Sequence, residues 1–319
     1  MKVAVTGGAG CIGYALSRLL DQNGHTVVIF DLFEKCERIK EALPRVKVFA
    51  GSILDLGALK EAFKECDVVV HLAAHLGVER TESDPLKCLD VNIEGTKKVL
   101  TAARLAGVPK FIFASSSEVY GEPLTNPIDE NAVTQGKTVY AISKLAGEEY
   151  VKAFYGKETN TSFVIHRFFN TYGPFQVAQF ALSKFILNMS KGKPIVINGD
   201  GNQIRSFCHS FDVAQGIYAS ISEPRAAGEV FNLGNPDCRT TIVELARMIG
   251  RIGGQGLELS FNYKFQNTDR CRNREIFERF CSIEKARKIL DFNPRISLQD
   301  GIQDLVTNNT LLESWDGDA

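Results

Sequence analysis

The 319-residue chain carries 37 Lys and Arg against 38 Asp and Glu, and 44% of its residues are hydrophobic. A formal charge of −1 gives no basis for a nucleic-acid or membrane partner. The length suits one large domain with a smaller second lobe, and no apolar run is long enough to cross a bilayer.

The eight cysteines, at positions 11, 36, 66, 88, 208, 238, 271 and 281, are scattered without a C-x-x-C pair or a histidine cluster. That usage points to reduced thiols in a cytoplasmic protein, not to a disulfide framework or a metal site. The N-terminus enters a strand directly, so no signal peptide is expected.

In chain order, "KVAVT", "TVVIFD", "VKVFAG", "DVVVHLAA", "KFIFASS" and "SFVIHRF" are near-continuously apolar runs, as strands covered on both faces should be. Between them lie amphipathic stretches such as "CIGYALSRLLDQNG", "LGALKEAFKEC" and "PLKCLDVNIEGTKKVLTAARLAG". Strand, helix, strand repeated in this way predicts an α/β fold with a Rossmann-type doubly wound parallel sheet over residues 1–172. Residues 173–319 are expected to form mainly a smaller α/β substrate lobe. Within it "FALSKFILNMSKGKP", "TTIVELARMIGRIGG" and "SIEKARKIL" read as helices, the last of these closing the helical pattern. "GDGNQIRSF" reads as a polar loop, and "EVFNLGN" as a strand returning to the main sheet, so return segments are expected near 205–234. The polar tail "ESWDGDA" reads as frayed.

The first strand-to-helix passage, "TGGAGCIG", spaces Gly7, Gly10 and Gly13 as G-x-x-G-x-x-G. Glycine lets the backbone turn tightly and approach a pyrophosphate, and the helix N-terminus adds amides for the anion. The second strand ends in Asp31, placed to bind an adenosine ribose and to repel a 2′-phosphate, which favours NAD over NADP. Further on, "TVYAISKLAGEEY" sets Tyr140 and Lys144 four apart on one helix face. A phenolate base at neutral pH costs about 4 kcal/mol against an ordinary tyrosine, and a nearby ammonium offsets part of that. Ser116, at the end of the fifth strand, is placed to share the substrate proton with Tyr140.

With "HLAA", "DVNIEGT", "SSSEVYGEP", "YAISK", "RFFNTYGP" and "GDGNQIRSF" in that order, the chain resembles the extended short-chain dehydrogenases/reductases. Within these it is similar to the nucleotide-sugar epimerase/dehydratase family, up to about "SIEKARKILDFNP". The resemblance implies bound NAD, a UDP-linked sugar substrate, and transient oxidation of that sugar at C4. It implies cofactor contacts from Thr6, Gly7, Gly10, Cys11, Ile12, Gly13 and Asp31. Ser52, Ile53, Leu72, Ala73, Ala74 and Asn92 would complete the cofactor set with Tyr140 and Lys144. Tyr140 would be the base and Lys144 would hold the nicotinamide ribose. Ser116, Ser117, Asn170, Arg205 and Arg272 would contact the substrate, although "DRCRNREIFER" offers four arginines for the last role.

The fate of the 4-ketone turns on Ser117-Glu118. Similar dehydratases carry an Asp-Glu pair there, and loss of the aspartate removes the acid for a departing C6 hydroxyl. Similar decarboxylases of UDP-glucuronate carry Ser-Glu, whereas simple 4-epimerases have a small neutral residue in place of Glu118. The loop "AAHLGVERTESDP" is more like that of the epimerases. The favoured reading is a UDP-sugar 4-epimerase acting on UDP-glucose, UDP-N-acetylglucosamine or UDP-glucuronate. Decarboxylation or dehydration using Glu118 is the alternative, and a catalytically silent NAD-binding regulator the remote one. Cys11 and Ser52 depart from the family's customary residues, and His209 reads as a packing residue. The long helices around residues 86–107 and 139–156 are the pair through which relatives dimerise, so a homodimer is expected.

Overall fold

The computed structural model describes residues 1–156, 161–254, 259–263 and 276–311. Six strands alternate with helices: β1 (Lys2–Thr6), β2 (Thr26–Asp31), β3 (Lys47–Ala50), β4 (Val68–His71), β5 (Lys110–Ser116) and β6 (Ser162–Phe168). A seventh strand, Glu229–Leu233, pairs with β6 in parallel register, so that Phe231 lies beside His166. The sheet runs seventh strand, β6, β5, β4, β1, β2, β3, and every pairing is parallel. The order reverses between β1 and β4, which opens a crevice beyond the strands' C-terminal ends.

Neighbouring residues of each strand serve opposite faces, which explains the near-continuous apolar runs. Val3, Val5, Val27 and Ile29 join one core with Leu16 and Leu20 of the helix Cys11–Gln22 and Ile217 of the helix Ser210–Ser222. Ala4, Val28 and Phe30 join the other, with Leu59, Val99 and Val151 from the helices Leu56–Ala62, Gly95–Leu105 and Val139–Tyr155. Gly147 brings the last of these helices close to β5, since a Cβ there would lie 2.4 Å from the Phe113 ring. A third core around Leu182, Phe185, Ile195, Leu245 and Ile302 belongs to the C-terminal part.

The structure departs from expectation in three places. "GDGNQIRSF" is not all loop: Ile204–Ser206 is the centre of a three-stranded sheet, antiparallel to Arg239–Thr241 and parallel to Glu278–Arg279. Both partners are distant in sequence, so the local polarity concealed it. A further helix, Leu298–Asn308, follows the one at Glu284–Leu290. Ser297 caps it by accepting the Asp300 N–H at 3.1 Å, and Leu298, Ile302 and Leu305 are buried. The long helical stretch beginning at Pro85 is interrupted by a π-turn over Asp90–Glu94. The polar tail lies outside the described residues.

Candidate active site

A cavity of about 770 Å³ occupies the crevice. At one end, Gly7, Gly10 and Gly13 line it together with Cys11, Ile12 and Asp31. The turn tolerates little beyond glycine. Gly7 has φ +71°, and a Cβ on it would meet the Ala73 nitrogen at 2.6 Å. A Cβ on Gly13 would sit 2.1 Å from the Gly7 carbonyl oxygen. The helix Cys11–Gln22 starts at Gly10 with no capping side chain, which leaves its N-terminus open to an anion.

Asp31 braces this turn as well as facing the cavity. Its Oδ2 accepts the Ala9 N–H at 3.0 Å and its Oδ1 accepts the Leu32 N–H at 2.9 Å. Burial raises its pKa, while Lys35, 3.9 Å away, and the two N–H groups oppose the rise. Ser52, Ile53, Leu72, Ala73 and Ala74 line the same end.

Two residues expected at the cofactor do not line the cavity. Thr6 is fully buried at the end of β1, and its hydroxyl bonds His71 Nδ1 at 2.7 Å. His71 Nε2 in turn meets the Thr96 hydroxyl at 3.0 Å, and burial holds the imidazole neutral, its pKa lowered to about 3. Asn92 sits in the π-turn with its amide committed to protein partners. Its Oδ1 accepts the His75 N–H at 2.7 Å, and its Nδ2 donates to the His75 carbonyl at 2.9 Å and to Ser143 Oγ at 3.0 Å. Asn92 therefore ties the loop after β4 to the helix that carries Tyr140. Arg272 lies outside the described residues.

Midway along the cavity, Ser116, Ser117, Glu118, Tyr140 and Lys144 come together. Thr138 starts the helix Val139–Tyr155: its hydroxyl accepts the Ala141 N–H at 3.0 Å and donates to Glu118 Oε2 at 3.1 Å. Ser116 Oγ accepts the Glu118 N–H at 3.2 Å, and its hydroxyl faces the Tyr140 phenol closely enough to favour the phenolate. Burial, then the Glu118 charge, pushes the Tyr140 pKa above its ordinary value, and the Ser116 hydroxyl opposes them. Lys144 donates to the Ala114 carbonyl at 2.8 Å, with Nζ 5.8 Å from the Tyr140 ring centre. Burial lowers its pKa to about 8, against the pull of Cys88 and Glu148.

At the far end, Asn170 and Arg205 line the cavity, and Asn170 Nδ2 donates to the Ser206 carbonyl at 3.0 Å. The sequence reading did not single out Gln176, Gln203, Phe207 or Arg279 here. Arg279 pairs in register with Arg205 on adjacent parallel strands, and it is one of the four arginines in "DRCRNREIFER". His209 is buried away from the cavity and caps the helix Ser210–Ser222 through Nδ1, which accepts the Phe211 N–H. Among the described residues no cluster of His, Cys, Asp or Glu could hold a metal, and no helix is long and apolar enough to cross a membrane.

Residues 3–234 match the NAD dependent epimerase/dehydratase family. The chain belongs to that family. The uncharacterized UDP-glucose epimerase YtcB of Bacillus subtilis is 32% identical over 312 residues, covering 95% of this chain and 96% of that protein. A UDP-N-acetyl-alpha-D-glucosaminuronate decarboxylase of Bacillus cytotoxicus is 31% identical over 96% of each chain. Among solved structures, the UDP-glucuronic acid 4-epimerase of Bacillus cereus, in complex with UDP-glucuronic acid and NAD, superposes with a TM-score of 0.86. It is 30% identical and covers 97% of this chain and 100% of its own. Membership makes this an NAD-dependent enzyme family member with a Rossmann-type short-chain dehydrogenase/reductase fold, and its relatives include both epimerases and decarboxylases.

Proposed function

We propose that the protein is an NAD-dependent UDP-sugar 4-epimerase. Residues 1–172, with the returning strand, form its NAD-binding part and residues 173–319 mainly its substrate lobe. The glycine turn, the uncapped helix start and Asp31 suit the pyrophosphate and adenosine ribose of a dinucleotide. These residues would hold NAD, which would supply a reversible hydride acceptor for C4 of the sugar.

The chain's own residues handle the proton. Tyr140 removes it from the 4-hydroxyl, and Ser116 holds that oxygen by a second hydrogen bond. The ammonium of Lys144, 5.8 Å from the Tyr140 ring centre, is the cation placed to stabilise the phenolate, whose formation burial and the Glu118 charge oppose. Tyr140 then returns the proton to the oxygen at C4 after the sugar has turned its other face. Arg205 and Arg279, on neighbouring strands, suit the diphosphate, with bidentate donors for its oxygens.

The observation that carries epimerisation over its rivals is the engagement of Glu118. Its Oε2 accepts from Thr138, whose hydroxyl also caps the Tyr140 helix, so the carboxylate supports the start of that helix. Ser117 is buried and supplies no acid for loss of water. UDP-glucuronate decarboxylation is the second reading, favoured by the reach of the Glu118 charge to Tyr140.

The test is incubation with NAD and, separately, UDP-glucose, UDP-N-acetylglucosamine and UDP-glucuronate, followed by mass and chromatographic retention. A product of unchanged mass and shifted retention is expected. Loss of carbon dioxide would replace the proposal with the decarboxylase, and NAD binding without any turnover would support the silent regulator. We also propose a cytoplasmic homodimer. Leu86 and Ile142, 72% and 52% exposed on the two long helical stretches, support that assembly, and light scattering after size exclusion tests it.

A further inference from the structure

Beneath the Tyr140–Lys144 face lies a buried charged cluster that the proposed reaction does not use. Glu148, one helical turn beyond Lys144, is 1% exposed. Arg167 of β6 grips it with both arms of its fork, Nε to Oε1 at 2.9 Å and Nη2 to Oε2 at 2.7 Å. Ser115 of β5 donates to Oε1 at 2.6 Å. Arg167 also donates through Nη1 to the Tyr120 hydroxyl at 3.0 Å, and Tyr120 donates to Asn232 Oδ1 at 2.7 Å. Tyr120 ends the short turn that carries Ser117 and Glu118, and Asn232 lies on the seventh strand.

Stability alone does not account for this pair. Desolvating two charges consumes most of their attraction, and well-packed apolar residues often serve a core as well or better. Its placement suggests a different task. Lys144 must carry its charge in a desolvated place, and Glu148 is the carboxylate among the groups acting on it. The other groups facing Lys144 are Tyr140 on its own helix, the Cys88 thiol from the helix Pro85–Leu89, and the neutral His71 imidazole from β4. The Glu118 charge lies beyond Tyr140.

We propose that Glu148, held by Arg167 and Ser115, is a positioning residue that keeps Lys144 charged and seats the Tyr140–Lys144 helix on the end of β5. The inference rests on Tyr140 and Lys144 being the proton-transfer pair. Arg167 holds the carboxylate in place, and Tyr120 extends the same bonds to the segment bearing Ser117 and Glu118.

The experiment follows Lys144 directly. The full chain is labelled with lysine carrying 13C at Cε, the Lys144 resonance is assigned by its loss in Lys144→Arg, and its shift is followed against pH. The parent midpoint is expected near 8. Glu148→Gln, which keeps the shape and removes the charge, is expected to lower it by about one pH unit. Arg167→Lys, which keeps the charge and loses the fork, is expected to cost thermal stability and leave the midpoint in place. The alkaline limb of kcat should move down with the Glu148→Gln midpoint.

If Glu148→Gln alone does not fold, Glu148→Gln with Arg167→Met is compared with Arg167→Met alone, so that the pair of variants differs only in the Glu148 charge and the same fall in midpoint is expected between them. An unchanged midpoint in the folded variant, or an equal shift in Arg167→Lys, would overturn the inference. A midpoint that moves as expected in a protein that turns over no nucleotide sugar would uphold Glu148's role and sink the proposed reaction.

Discussion

Tyr140 and Lys144 are shaped by opposing demands. The cavity wall withdraws both from water, which pushes the phenol up and the ammonium down, while the proposed chemistry needs a phenolate beside a cation. The Ser116 hydroxyl acts against that penalty on the phenol, and the Glu148 charge acts against it on the ammonium. Tyr140→Phe removes the proton acceptor and keeps the ring, so kcat is expected to fall by about 10²- to 10⁴-fold. NAD affinity, read by equilibrium titration, should fall far less than kcat because most of the cofactor contacts remain, and an equal loss of both would point to a structural role for the hydroxyl. The pH profile has a definite sign. Lys144 is charged below its lowered pKa, so kcat should decline as pH rises through about 8. A rate that holds to pH 10 would contradict the need for a charged Lys144.

The elements around the site owe their placement to close approaches. Gly13→Ala would drive a methyl into the Gly7 carbonyl, so NAD affinity should fall by at least about 100-fold, or roughly 2.7 kcal/mol. Gly107→Ala is the control, with φ +70° and nothing within 4 Å of the added carbon. It should cost about 1 kcal/mol of stability from the left-handed backbone and leave NAD affinity alone. Asn92 works at the same scale, since it joins the loop after β4 to the catalytic helix through His75 and Ser143. Asn92→Ala leaves the buried His75 N–H without its acceptor, for a loss of about 1–3 kcal/mol seen as a lower denaturant midpoint. An unchanged midpoint would show that water or a shifted loop satisfies that group.

Across the whole molecule, burial lowers the pKa of all five histidines. His71 and His166 are the extremes, both lowered from 6.5 to about 3 in the folded chain. The unfolded chain binds protons that the native state refuses, so stability rises with pH in this range. The penalty is absent above pH 6.5 and grows as pH falls toward 3, by about 1.4 kcal/mol per pH unit for each of these two groups. Urea midpoints at pH 7.5 and pH 5 should differ accordingly, and equal midpoints would mean that a native imidazole takes up its proton.

The apolar runs determined the parallel sheet, because a strand covered on both faces must be hydrophobic at consecutive positions. The glycine spacing and the four-residue interval between Tyr140 and Lys144 were equally legible, since each is set within one turn or one helix. Even the missed helix Leu298–Asn308 carried its signal in Leu298, Ile302 and Leu305. Relations between elements were not legible in this way. Thr6 and Asn92 were expected at the cofactor, yet the fold turns both inward to protein partners. Arg279 joins Arg205 only because two short strands, 74 positions apart, pair in register. Tyr120 and Asn232 bond across 112 positions, and Arg167 reaches Glu148 across 19, through packing that no local spacing encodes. Sequence alone determined the strands and helices of the main sheet and the reactive pair that one helix presents, but not the short strand Ile204–Ser206, whose partners are distant in the chain. The tertiary structure decided which polar groups face the cavity and which buried charges stand behind it, because those choices depend on contacts between elements folded together from distant parts of the chain.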